Sequence, residues 1–453
     1  MLLAILLSVP AILEQLLVTA TSYVDTAMVG SLGAGATAAI SVTSSCNWLI
    51  NGIIMALGVG YSVRVAYYIG ARHPDQVSAV LIQAVLGSVI LGLGTTAVGV
   101  PLSRVLPAWM GAEEGIRRDA ALYMLILMAA LPARTFNAVF SAVLRCMGDT
   151  KTPMLVNTLV NLLNVVLNYF MIYPTRTISL LGRSATMPGL GLGVGGAALA
   201  TALAITLGAV WLTLAAVHGK REYRPNWRGN LHLDLHIQRE ALKVAIPVAL
   251  ERITISVGQI VMTRMVSTLG TVALAANYVA VTAEQICYMP AYGIASAATA
   301  LTGQSVGAGD YRGAKRYGNI TGLLGAGLTL VLATVMFLCS DLLGSAFSSD
   351  PEVTRLSGQM LRIVSVAEPM FSMYTVMAGA LRGVGEAKYP FYVGVVCMLG
   401  VRIGLASVML FGFHMGLEAV WIAMAVDLNL RGILNDLRFY GGKWIPNAEE
   451  ETE

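Results

Sequence analysis

Charge is scarce in this chain. Only 12% of its 453 residues are Asp, Glu, Lys or Arg, against about 25% in a soluble domain, which excludes a soluble enzyme. No segment is basic with interleaved aromatics, so nothing points to nucleic acid. Cysteine is scarcer still. The five residues at 46, 146, 287, 339 and 397 lie in or beside apolar runs with no CxxC; they read as small buried hydrophobes, not as a disulfide framework or a thiolate metal site. Of five histidines, His73, His218, His232 and His236 are in loops and His414 is at the end of an apolar run, none with metal-ligand spacing. HExxH, GxSxG and Walker A are all missing, so no enzyme chemistry and no cofactor are expected. Without an ATP site, any pumping must draw on an ion gradient or a partner.

What the chain has in abundance is apolar sequence. Hydrophobic residues make up 56% of it, in runs of about twenty that follow one another almost without a break, as in a polytopic helical membrane protein. The sequence predicts an all-α fold of twelve transmembrane helices, at 3–28, 38–68, 76–101, 119–144, 152–173, 193–217, 243–269, 276–305, 315–340, 356–382, 389–413 and 416–437. The first is a span and not a signal peptide, since Pro10 and Glu14 interrupt it and no cleavage site follows. One sizeable polar linker, 218–240, divides an N-terminal six-helix lobe (1–217) from a C-terminal one (241–440), with a tail at 441–453. Seventeen Lys and Arg fall on the loops sharing a side with the linker and tail, including Arg145, Arg382 and Arg431; six fall on the other side. The excess places both termini in the cytoplasm, in an inner membrane.

The two lobes are copies. Pro10 and Glu14 recur as Pro247 and Glu251, a shift of 237. At the same shift LRCMGDTKTP (144–153) lies under LRGVGEAKYP (381–390), Pro132 under Pro369, and Gly70-Ala71 under Gly307-Ala308. Six spans per copy is even, so both copies enter from one side. They are parallel repeats about a pseudo-two-fold axis along the membrane normal, with a cavity between them, a layout suited to alternating access.

Ionisable groups within the spans carry the functional signal, because a charge at the bilayer centre costs about 2.5–3.5 kcal/mol or more. In the first span Glu14 and Asp25 are eleven residues apart, about three helical turns, and point from one face. The repeat keeps the first as Glu251 and replaces the second by Met262. The fifth span sets Asn157, Asn161, Asn164 and Asn168 on one face, and the repeat has Gly394, Met398, Val401 and Leu405 there. Such a stripe can hold helices together at about 0.6 kcal/mol per contact, or wall a polar cavity that meets Asp25. Asp25 and the stripe are absent together from the second copy, which favours the cavity. The second lobe has its own acids, Glu251, Glu284 and Glu368, among Tyr278, Tyr288, Met289, Tyr292, Met370, Met373 and Tyr374. Carboxylates and aromatic faces attract organic cations, and methionine adapts to varied shapes. Arg64, Arg134, Arg252, Arg264, Arg362 and Arg402 also fall within spans.

With PVALE, TGQSVGAG, NVVLN and the two LRxxG motifs, the chain resembles the multidrug and toxic compound extrusion (MATE) family over essentially its whole length. That resemblance implies a V-shaped pair of lobes and export of small organic cations in exchange for H+ or Na+, by a monomer. It assigns Asp25 and Asn164, with Asn161 and Asn168 beside them, to cation coupling, Na+ at Asp25 and Asn164 included. Glu251 corresponds to a span-seven glutamate used by NorM-like members. Two departures stand out: some relatives have an aspartate where this chain has Asn168, and the span-ten acid of NorM-like members lies nearer Phe371 than Glu368 does. A flippase for lipid-linked precursors, from the wider superfamily, is the alternative; its cavity should be lined by cations, not by acids and amides.

Overall fold

The computed structural model describes residues 1–453 apart from 111, 181–182, 220–222, 226–231, 349 and 446–453. The middle of the linker and the end of the tail therefore lie outside the described residues. Eight described helices are long and apolar enough to cross a bilayer alone: Leu2–Gly30, Cys46–Gly70 (within the helix Ala34–Gly70), Pro74–Leu102, Lys151–Ile172, Gly193–His218, Leu235–Ser267, Tyr311–Leu338 and Lys388–Gly412. Two more spans are broken pairs, Glu114–Ala129 with Leu131–Cys146 and Pro351–Ser365 with Glu368–Gly383, bent by 50° and 54°. Thr271–Gly307 and Leu417–Tyr440 complete twelve, as the eighth and twelfth spans.

The boundaries follow from caps and prolines. Pro132 and Pro369 stand at the starts of the second halves of the fourth and tenth spans. Proline there removes a backbone donor and crowds the preceding turn, so both copies break at one repeat position. The seventh span starts at Leu235, because the Asp234 carboxylate accepts from the His236 and Ile237 amides at 2.8 and 3.3 Å. Residues 235–240, read as linker from the sequence, are thus helical. Gly148 and Gly385, in the two LRxxG motifs, both take a left-handed backbone (φ 85° and 89°) to turn the chain after the fourth and tenth spans. A feature without a sequence signal is a two-stranded antiparallel hairpin, β1 (Pro174–Leu180) with β2 (Arg183–Leu190), between the fifth and sixth spans.

The packing repeats with the sequence. In the first lobe, span one lies on five, two on three and four, three on four, and six on four and five; spans seven to twelve repeat each of these pairs. Between the lobes, span one packs on eight and seven on two, a pair exchanged by the repeat, while two meets eight across the axis. A Cβ on Gly70 would run into the Gln304 carbonyl, and one on Gly307 into the Tyr67 carbonyl, the same contact seen from each copy. Small residues let the two helices close at that end.

Candidate transport site

In the first lobe, spans one and five run parallel, and two carboxylates meet two asparagines in register. Nearer the N-terminus of span one, Asn157 Nδ2 donates to Glu14 Oε1 at 2.7 Å. Eleven residues further along both helices, Asn168 Nδ2 donates to Asp25 Oδ1 at 2.8 Å. With its amide nitrogen turned to Asp25, Asn164 donates to both carboxylate oxygens at 2.8 and 3.0 Å, while its carbonyl accepts from the Thr201 hydroxyl of span six at 3.1 Å. Asn164 and Asn168 are 6% and 1% exposed, and Asp25 is half-buried. The buried Oδ1 of Asn168 has no partner among the described residues, so an acceptor stands open beside the carboxylate. The Asn161 side chain is half-buried, with no hydrogen bond to Asp25 among the described residues. The expected stripe is thus two sites, and Asp25 engages only the half toward the C-terminal ends of spans one and five.

Glu14 belongs to the other site, toward the N-terminal ends of spans one and five. Its Oε1 also accepts from Arg145 at 2.5 Å. The second lobe holds the same pair at a shift of 237: Arg382 Nη2 donates to Glu251 Oε2 at 2.6 Å. The Tyr374 hydroxyl donates to the other oxygen of Glu251 at 2.6 Å, and the repeat has Gly394 in place of Asn157. Glu14 and Glu251 are 3% and 1% exposed. Each bridge ties the proline-bearing first helix of its lobe to the end of the bent one. Arg145 and Arg382, counted among loop cations from the sequence, are therefore partly buried partners of buried acids. Arg431 is a partner too; its Nε donates to Asp427 at 2.7 Å within span twelve. Without these three, the loop asymmetry is still fourteen against six.

The structure separates Glu251 from the other two second-lobe acids. Both of its oxygens are taken by Arg382 and Tyr374, whereas Glu284 of span eight and Glu368, at the break of span ten, face one another. They are 6% and 0% exposed. Phe371, one turn beyond Glu368, gathers a ring of aromatics, with centroids 5.2 Å to Tyr288, 6.2 Å to Tyr292 and 6.2 Å to Tyr374. Arg252 lies over the Tyr292 ring at 5.4 Å. Met289 is half-buried, Met373 packs in the core with Ile294 and Phe439, and Tyr278 is 69% exposed. Tyr374 serves Glu251 instead of lining the acid pair. Asn47, the repeat partner of Glu284, accepts from Arg134 at 3.3 Å.

Sequence reading passed over Thr201, Asp427 and the role of Arg431. Thr201 lies in an apolar helix with nothing to mark it. Asp427 and Arg431 form an i, i+4 acid–base pair that resembles an exposed helix end. Their burial follows from span twelve packing on span ten, which no local pattern encodes.

The model of the MatE family matches the chain twice, at residues 10–170 and 247–408, the two starts 237 residues apart. The chain belongs to the MatE family. It is a multi-pass membrane transporter, not an enzyme. A probable multidrug resistance protein NorM of Thermotoga maritima is 31% identical over 98% of this chain and 92% of its own length. An uncharacterized transporter, YisQ, of Bacillus subtilis is 25% identical over 96% of this chain and 93% of its own. The fold matches a multidrug resistance MATE transporter solved in an outward-facing conformation, with a TM-score of 0.88, 23% identity, and coverage of 97% of this chain and 96% of that one. A Pyrococcus furiosus transporter of the same superfamily, described as having a binding pocket of reversed polarity, gives the same TM-score and identity.

Proposed function

We propose that this transporter exports organic cations in exchange for protons, with Na+ as the alternative counter-ion, by alternating access between its two lobes. The observation that carries the reading is Asp25, the one span-one acid without a counterpart in the repeat, held by Asn164 and Asn168 in a half-buried position. A carboxylate that accepts only from neutral amides has no resident cation, so a proton or a hard cation completes it. The unpartnered Asn168 carbonyl supplies a further oxygen for Na+. Loading can drive transport only if it favours one lobe arrangement over the other. A transferred charge adds roughly 2.3 kcal/mol per 100 mV of membrane potential. The Glu284–Glu368 pair and the rings around Phe371 suit a lipophilic cation, and the relatives named as multidrug resistance proteins support that class.

The test is efflux of a fluorescent lipophilic cation from proteoliposomes under separately imposed proton and sodium gradients. Efflux driven by an inward proton gradient alone supports the reading. Efflux under sodium alone assigns the alternative ion, and no response to either gradient contradicts ion exchange. Orientation is part of the same proposal, with both termini in the cytoplasm. Asp75→Cys and Gly115→Cys, both exposed positions, are expected to label from opposite faces of intact cells. Labelling from one face would overturn the twelve-span topology.

A further inference from the structure

The C-terminal third of span one is held from two sides. On one face its own lobe holds it. Asn168 donates to Asp25 at 2.8 Å, and the Tyr173 hydroxyl, one residue before the β1–β2 hairpin, donates to the Met28 carbonyl at 3.1 Å and meets the Ser31 hydroxyl at 2.6 Å. On another face the second lobe holds it. The Tyr23 hydroxyl donates to the Thr282 carbonyl of span eight at 2.9 Å. The Tyr23 ring also meets Phe347, with centroids 6.2 Å apart and planes at 51°. Phe347 ends a short helix, Ser340–Phe347, that follows span nine. Tyr23 and Asp25 are two residues apart, about 200° around a helix, so they leave span one on nearly opposite faces. On span eight, Thr282 is likewise two residues from the buried Glu284. One hydrogen bond thus joins the helix that carries Asp25 to the helix that carries Glu284.

This bond has no companion at its end of the molecule. Among the described residues, the other side-chain hydrogen bonds between spans of the two lobes lie at the opposite end, where the linker enters. There Gln304 donates to the Cys146 carbonyl at 2.7 Å, Gln238 joins Tyr61 and Gln83, and Arg64 pairs with Glu240. The repeat does not copy the Tyr23 bond either. Ile260 stands at the position of Tyr23 and is 59% exposed, as Met262 stands at that of Asp25. The acid and the tyrosine are absent together from the second lobe.

We propose that Tyr23 is a positioning residue for the ion site. Its bond to Thr282 holds span one, and Asp25 with it, against the second lobe when the lobes meet at the hairpin end, and breaks when they part there. Nearer the linker end, spans one and eight touch backbone to backbone, since a Cβ on Gly293 would stand 2.7 Å from the Ile12 amide nitrogen. Parting at the hairpin end therefore pivots near Gly293 and is opposed by Tyr23 and Phe347. Loading of Asp25 shifts the lobes only as far as its affinity differs between the two arrangements, and the Tyr23 bond makes the setting of span one differ between them. The idea rests on alternating access with Asp25 as the coupling acid, but not on which ion loads it.

The test is the distance between spin labels on Gly115→Cys and Glu352→Cys, exposed repeat partners at the starts of spans four and ten. It is measured by double electron–electron resonance on the full-length protein in nanodiscs, with the two partly exposed cysteines, Cys46 and Cys339, replaced by alanine. Tyr23→Phe keeps the ring and removes the donor. At the strength of a typical interhelical hydrogen bond in a membrane, the longer separation is expected to gain about three-fold over the shorter, with the thermal midpoint unchanged. Phe347→Ala is expected to shift the ratio the same way. Ile260→Ala, at the repeat position, is expected to leave it as in the parent. That pattern supports the positioning role. An unchanged distribution in Tyr23→Phe, a shift toward the shorter separation, or an equal shift in Ile260→Ala overturns it. If Tyr23→Phe fails to fold, Phe347→Ala set against Ile260→Ala decides the matter. Failure here is distinct from failure of the coupling reading, because gradient-driven efflux and its loss in Asp25→Asn do not depend on which contact positions span one.

Discussion

Replacing Glu251 by glutamine is expected to cost about 3–5 kcal/mol of stability, because it leaves the Arg382 guanidinium buried without its counter-charge. Arg382 and Glu251 side chains are 11% and 2% exposed and 2.6 Å apart, with Tyr374 closing the other carboxylate oxygen, so little water can replace the lost partner. Glu14→Gln is expected to cost a similar amount, since Arg145 meets Glu14 in the same geometry in the first lobe. The measurement is thermal unfolding of the detergent-purified protein, with Glu251→Gln/Arg382→Gln as the second half of a double-mutant cycle. The double variant is expected to recover part of the loss, because a neutral pair leaves no orphan charge. Glu284→Gln is the contrast: its neighbour is another carboxyl group, so its neutralisation is expected to leave the midpoint unchanged or raised. A Glu251→Gln protein as stable as the parent yet unable to transport would give Glu251 a part in transport beyond holding Arg382.

Much of this architecture was legible in the sequence because one number governs it. The shift of 237 that aligns Pro10 with Pro247 also relates the broken fourth and tenth spans, the twin glutamate–arginine bridges and the two glycine contacts across the axis. The bridges themselves were harder to read. Glu14 and Arg145 are 131 residues apart, and an arginine at a helix end beside a basic loop looks like topology and not like a partner. The repeat held the clue, since both members of the pair recur together in both copies. The asparagine stripe was found, but its division was not. Glu14 and Asp25 are eleven residues apart, and so are Asn157 and Asn168, so parallel helices can bring both pairs into register at the same separation. Asp427 and Arg402, an ion pair at 3.6 Å between spans twelve and eleven, had no such signal. Their pairing depends on how spans ten, eleven and twelve close around the break at Glu368, and on a π-turn from Val396 to Ile403 that helical periodicity does not announce.

Asp25→Asn is expected to abolish gradient-driven efflux while leaving substrate binding within about two-fold of the parent. Among the described residues that hold Asp25 by hydrogen bonds, all are neutral amides, so the carboxylate itself is the group that can exchange a proton, whereas the aromatics and acids assigned to the substrate lie in the other lobe. Folding is expected to survive, because asparagine keeps the size of the side chain and can still accept from Asn164 and Asn168, and no arginine is left unpaired. Asn168→Ala should be milder, since Asn164 still reaches both oxygens in the flipped orientation. The most direct measurement compares two assays on one preparation of Asp25→Asn in proteoliposomes: efflux of a lipophilic cation driven by an imposed proton gradient, and equilibrium binding of the same cation. Lost efflux with binding retained is the predicted result; efflux at the parent rate would contradict the assignment of Asp25 as the coupling acid.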